Sequence, residues 1–174
     1  MIDLMILGFL ADGPLHGYEL RRKMEQLHGH ARKISDGTLY PAIKRLAKAG
    51  FLGEQVEPGV GSVPRKTLSL TATGRERLES LLRGVEGQDL TDLNSFFVVL
   101  AFLAHLPDPA ERRAVLQRRL DFLEQPASFF TSGGRALKSA EITDPYRRGI
   151  FVTAKAANSA QRAWLCELLE ADSE

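Results

Sequence analysis

The sequence predicts a mainly α-helical protein in which three short helices and a β-hairpin come first and a helical tail follows. Three observations carry that prediction. Apolar residues recur at helical spacing over most of the chain. Strict alternation is confined to a short stretch around Leu68 and Leu70, and Gly/Pro turns near residues 13, 29, 50 and 58 to 64 cut the first part into pieces too short for anything but small elements.

Residues 2 to 11 are almost wholly apolar and stop at Asp12-Gly13-Pro14, which predicts a short buried helix. From His16 the pattern changes: Tyr18, Leu20, Met24 and Leu27 recur among charged neighbours, an amphipathic helix ending near Gly29. A third helix has its inward set at Leu39, Ile43, Leu46 and Ala47 and its terminator at Gly50. Either Ser35 or Thr38 can cap it, and Pro41 suits a first turn if Thr38 does. Two short runs, residues 51 to 57 and 66 to 71, flank a Gly/Pro-rich tip and predict a two-stranded hairpin.

Beyond the hairpin the chain reads as helix. Thr73 and Glu76 have the spacing of a capping box before Leu78, Leu81 and Leu82, and residues 90 to 106 are apolar enough to require burial on most sides. Asp108-Pro109-Ala110-Glu111 starts a helix with inner face Val115, Leu116, Leu120 and Leu123. A polar connection over residues 126 to 143 follows, and Asp144-Pro145 restarts a helix running to about Ala171, roughly 40 Å long. The expected division is a domain over residues 1 to 85 and a helical domain over residues 86 to 174.

A hydrophobic fraction of 44% with 26% charged residues is the balance of a folded globular chain. The net charge of +1 conceals an asymmetry: residues 1 to 85 hold 13 Lys and Arg against 9 Asp and Glu, while the remainder holds 10 against 13. A basic first half suits a polyanion partner, because neutralising phosphates releases counterions; uneven solvated charge is the plainer account. The single cysteine, Cys166, excludes an internal disulfide and a multi-cysteine metal site and fits a reducing compartment. With no basic leader before the apolar start and no apolar run approaching about 20 residues, the expected location is cytoplasmic, with no membrane span.

The third helix carries the candidate site. Its polar face presents Thr38, Tyr40, Lys44, Arg45 and Lys48, mostly three and four residues apart. Lys44, Arg45 and Lys48 would position phosphates, and Ser35, Thr38 and Tyr40 would reach base edges or backbone near the helix start, as in a helix-turn-helix reader. An ordinary basic helix surface would look the same in isolation. The hairpin adds Arg65 and Lys66 after a tip containing Gly59, Gly61 and Ser62, so that the whole is a winged helix-turn-helix. Edge-strand charges that discourage aggregation are the alternative for those two cations.

His16-Gly17-Tyr18-Glu19-Leu20, and Ser35-Asp36-Gly37-Thr38-Leu39-Tyr40-Pro41-Ala42-Ile43-Lys44-Arg45-Leu46 followed by Ala49-Gly50, resemble the two signature stretches of the PadR transcriptional regulators. Pro64-Arg65-Lys66 and Leu70-Thr71 with Gly74 resemble the wing and helix-start motifs that follow in that family. From Arg147-Arg148-Gly149-Ile150 to Trp164-Leu165 the chain resembles the longer members with a helical, virulence-activator-like tail. The resemblance implies a homodimeric regulator, commonly a repressor, whose tail helices pair the subunits and whose winged helices bind a roughly palindromic double-stranded DNA operator. It places Tyr18 and Pro41 with the DNA-binding residues. Thr67-Leu68 stands where many relatives have aromatic residues, so only the packing role is expected of Leu68.

On the last helix Ile150, Ala154, Ala157, Trp164 and Leu168 fall at coiled-coil-like spacing and are the expected dimerisation residues. Tyr146, Phe151, Trp164 and the Phe96, Phe97, Phe102 group read first as core and interface packing and second as the lining of a small aromatic effector site at the dimer seam. His28 and His30 lack the further ligands a metal site needs. No triad, phosphate-cradling loop or acid pair points to catalysis, and no cofactor is expected.

Overall fold

The computed structural model describes residues 1–27, 29, 33–57, 65–125, 130–132 and 134–171. Two compact units divide the chain, Met1–Arg112 and Arg113–Glu174. The packing boundary therefore falls well beyond residue 85, because the apolar segment after the hairpin joins the first core.

The first unit contains α1 (Ile2–Asp12), β1 (Leu15–His16), α2 (Gly17–Leu27), α3 (Asp36–Lys48), β2 (Leu52–Glu57), β3 (Arg65–Leu70), α4 (Ala72–Arg83), α5 (Gly87–Thr91) and α6 (Leu93–Phe102). It is a winged helix. α1 is apolar nearly all round, and it contacts α2, α3, α4, α6 and β3. Leu4, Met5, Ile6, Leu7 and Leu10 are buried, as are Leu20 and Met24 of α2, Leu39 and Leu46 of α3, and Leu78 and Leu82 of α4. Phe102 of α6 lies against Gly8, where an added Cβ would collide with its ring, and meets Phe9 edge-on at 4.9 Å. That contact is what recruits α6 into the core.

The hairpin strands pair antiparallel with Leu52 opposite Leu70 and Glu57 opposite Arg65. Leu15 and His16 add a third strand that the sequence reading did not anticipate, giving the order β1-β3-β2. Two residues are too short to show alternation, so only the tertiary pairing reveals them. The expected wing tip, residues 58 to 64, lies outside the described residues, as do His28 and His30.

Helix ends follow local chemistry. α3 closes on Gly50 at φ 78, with Gly50 N–H bonded to Ala47 O and Phe51 N–H to Leu46 O, the paired bonds of a Schellman turn. The expected capping box at Thr73 and Glu76 is not the start of α4. Thr71 caps that helix instead, its Oγ1 accepting from Gly74 N–H at 3.0 Å, because it still has the extended backbone of β3. Thr73 donates to Gly50 O at 2.9 Å and so helps to satisfy the end of α3.

The helix α7 (Pro109–Glu124) begins where Asp108 accepts from Ala110 N–H, and buries the expected Val115, Leu116, Leu120 and Leu123. The second unit continues with β4 (Thr131–Ser132) and β5 (Arg135–Ala136), a small hairpin inside the stretch expected to be irregular, and with α8 (Pro145–Ala171). Asp144 caps α8 by accepting from Tyr146 and Arg147 N–H. α8 is not a lone helix. Leu165 and Leu169 are buried, Asn158 donates to Leu123 O at 3.1 Å, Arg119 donates to Gln161 at 2.6 Å, and Arg162 pairs with Glu124 at 2.9 Å. Among the described residues, no helix is long and apolar enough to cross a membrane, and no group of three His, Cys, Asp or Glu side chains gathers as a metal site.

Candidate nucleic-acid interface

α3 has two faces because its apolar residues return every three or four positions. Leu39, Ala42, Ile43 and Leu46 are buried, while Gly37, Thr38, Tyr40, Pro41, Lys44, Arg45 and Lys48 are exposed. At 100° per residue the outward set resolves into three strips. Gly37, Pro41, Lys44 and Lys48 run along the crest, Tyr40 leans to one flank, and Thr38 and Arg45 lean to the other.

The Tyr40 flank borders a groove of about 830 Å³ between α3, the start of α2 and the sheet, lined by His16, Tyr18, Tyr40, Pro41, Lys44 and Lys66 among others. β1 builds one wall. His16 N–H donates to Glu19 at 3.0 Å, and this bond is the main cause holding the Glu19 carboxyl below its ordinary pKa. His16 Nδ1 lies 3.3 Å from Lys66 O, and its ring stacks near Tyr18, which is 57% exposed. Tyr40 sits over Gly17, whose missing side chain leaves room for the ring. Leu68, 3% exposed, fills the floor as its packing role required.

Five of the predicted residues thus meet at one groove: Tyr18, Tyr40, Pro41, Lys44 and Lys66. Ser35 and Thr38 do not join them. Their hydroxyls share a hydrogen bond at 2.9 Å and line a separate concavity of about 400 Å³ with Met5, Lys33 and Asp89. Ser35 caps α3 by backbone conformation, its side chain accepting from no helix N–H. Arg45 is turned toward α1, where Asp3 accepts from it at 2.6 and 2.9 Å and holds the guanidinium pKa above its ordinary value. Lys66 donates to Glu54 at 2.9 Å, and Arg21 to Asp36 at 2.6 Å. Lys44 and Lys48 form no ion pair among the described residues. Arg65 takes its place in β3 opposite Glu57.

Sequence reading missed the carboxylates that hold these cations. Asp3 is 42 residues from Arg45, and nothing local signals the pair. Glu54 was legible in principle, since in a hairpin it falls near Lys66 once the register is known.

A second candidate surface lies on α8. Ala154 and Leu168 are half-buried, on the margin of the side that meets α7, whereas Ile150 and Trp164 are 44% and 43% exposed and Ala157 is exposed between them. Tyr146 and Val152 extend the exposed apolar set. Tyr146 and Trp164 stand roughly 27 Å apart along the helix, so the two cannot line one small pocket within a protomer. Phe96 and Phe102 are core residues of the first unit, and Phe151 packs on Phe130 at 5.7 Å.

Residues 6–80 match the family model described as the transcriptional regulator PadR-like family. Over 77 residues the chain is 38% identical to an uncharacterized 37.1 kDa protein of transposon TN4556 from Streptomyces fradiae, a match covering 44% of this chain. The chain spans only about a fifth, 21%, of the length of that curated relative. A transcriptional regulator from Clostridium thermocellum is 27% identical over 45% of this chain and 75% of its own, with a TM-score of 0.41. The Bacillus subtilis PadR in complex with operator DNA is 19% identical over 97% of this chain and 96% of its own, with a TM-score of 0.46. The segment that matches the transcriptional regulator PadR-like family, residues 6–80, is the one that carries the two helices and the strands that build the groove.

Proposed function

We propose that the protein is a sequence-specific double-stranded DNA-binding regulator, acting as a repressor, that docks α3 in the major groove and binds a roughly palindromic operator as a homodimer. The observation that carries this reading is the crest of α3: Lys44 and Lys48 stand exposed without an ion pair among the described residues, beside a groove whose far side is edged by Lys66. Exposed cations on a short helix suit phosphate positioning, and Tyr40 on the groove flank would touch base edges. Arg45 and Arg65 complete the cationic set in this reading.

The apolar strip of α8 supports the dimer. Ile150, Ala157 and Trp164 would pack against a second copy, with Ala154 and Leu168 at the margin, and pairing would set two α3 helices about one duplex turn apart, roughly 34 to 36 Å. Mobility shift and footprinting on duplexes from the protein's own upstream region test the reading, with affinity followed over a salt series. Protection of two half-sites, together with a logarithmic salt slope of several units, is expected. A slope near zero would sink it.

A second reading has a specific observation behind it. Three cations around α3, Arg21, Arg45 and Lys66, are already engaged by Asp36, Asp3 and Glu54. That favours a winged-helix module for a protein partner, and absent or salt-indifferent DNA binding would select it.

A further inference from the structure

The crest of α3 begins with a glycine that neither a positive φ nor a close contact requires. Gly37 lies in the first turn, on the same line as Pro41, Lys44 and Lys48, and is exposed. Its backbone is not in the left-handed region that favours glycine. A Cβ built there would meet nothing nearer than Ser35 Oγ at 3.9 Å, an ordinary contact. By contrast, Gly8 is required by the Phe102 ring and Gly50 by its positive φ. A helical glycine is less stable than alanine at the same place, so an unexplained one points outward, to something that approaches from solvent.

What approaches is indicated by the rest of the line. Pro41, four residues on, adds only a short rigid ring, so the first half of the crest is low, and Lys44 and Lys48 then supply positive charge along its second half. Tyr40 rises on one side of this low strip, and Lys66 edges the groove beyond it. A bare strip continued by two cations is complementary to a polyanion with a deep groove, which is duplex DNA.

We propose that Gly37 is the point of closest approach of α3 to duplex DNA, where the helix backbone itself, rather than a side chain, meets the groove. The proposal rests on the DNA-binding reading and deepens it. Its rival is a structural role, since the Pro41 ring crowds the carbonyl of the residue four positions earlier, which is Gly37, and glycine eases that adjustment.

Gly37→Ala and Gly37→Ser in the full chain separate the two. The measurements are the thermal midpoint, the sedimentation state, and anisotropy titrations of an upstream duplex and a scrambled one over a salt series, with Lys44→Ala as the ionic control. The expected result is an unchanged or raised midpoint for Gly37→Ala, an affinity for the upstream duplex at least tenfold weaker in both variants, and an unaltered salt slope, because the lost contact is steric. Lys44→Ala should instead lower the slope by about one. Binding by both variants within twofold of the parent overturns the proposal while leaving the DNA reading intact, and so does a lowered midpoint for Gly37→Ala, which would assign the glycine to the fold. If the parent itself binds neither duplex, the DNA reading fails and takes this proposal with it.

Discussion

α3 and α8 are both helices with one face buried and one left open, yet their open faces are chemical opposites. α3 exposes Lys44, Arg45 and Lys48 along with Tyr40, while α8 exposes Tyr146, Ile150, Val152 and Trp164. The first is a surface that water hydrates well and that suits a polyanion, and the second is one that water covers poorly. A single amphipathic pattern therefore does not define a helix's business; the residues left over after packing do.

The strongest way to break the contrast is to replace the apolar open face of α8 by a charged one. Ile150→Asp with Trp164→Asp leaves the α7-facing residues Leu165 and Leu169 untouched, so helix content is expected to hold. Sedimentation at micromolar concentration should shift from dimer to monomer, and operator affinity should fall by about a hundredfold or more, since two linked half-site contacts become independent. A doubly substituted chain that remains dimeric would show that α8 does not pair the subunits.

Lys44→Ala removes an exposed cation from α3 without touching its buried stripe. Binding to specific and scrambled duplex alike is expected to weaken on the order of tenfold, with the salt slope reduced by about one. Tyr40→Ala probes the groove flank instead. It should lower discrimination between the operator and a single-base variant by about 1 kcal/mol while changing binding to scrambled DNA little. Equal losses on both duplexes would reassign Tyr40 to backbone contact.

The smallest effect is expected from Asp3→Asn, which releases Arg45 from its carboxylate partner. Arg45 is well exposed, so solvent screening leaves the pair little weight in stability. A two- to threefold gain in affinity for any duplex, with no change in sequence preference, would mark Asp3 as a restraint on that arginine. A loss would mean that the ion pair holds Arg45 in a productive position.

How far these surfaces were legible beforehand depended on the range of the interactions that make them. Helix ends with local chemistry were readable: Gly50 terminates α3, Asp108 starts α7 and Asp144 starts α8. The cap of α4 was misread by two residues, because whether Thr71 or Thr73 serves depends on where β3 ends, a matter of pairing with β2. The outward residues of α3 followed from its period, but their division did not. Ser35 and Thr38 fall beside α1 and α5, whereas Tyr40 and Lys44 fall beside the sheet, and that follows from what packs on each side of the helix.

By itself the sequence determined the order of the main helices and the hairpin, the buried stripes of α2, α3, α4 and α7, the cationic outer face of α3 and the apolar residues of α8. These depend on periodicity and on contacts a few residues apart, which the chain carries wherever it lies. The tertiary structure alone decided that Leu15 and His16 become a third strand, that α6 joins the first core through Phe102 and Gly8, and that Arg45 and Lys66 are held by Asp3 and Glu54. Each of these joins residues brought together only when separate elements pack, and an ion pair or a ring-on-glycine contact across such a distance leaves no mark in local spacing.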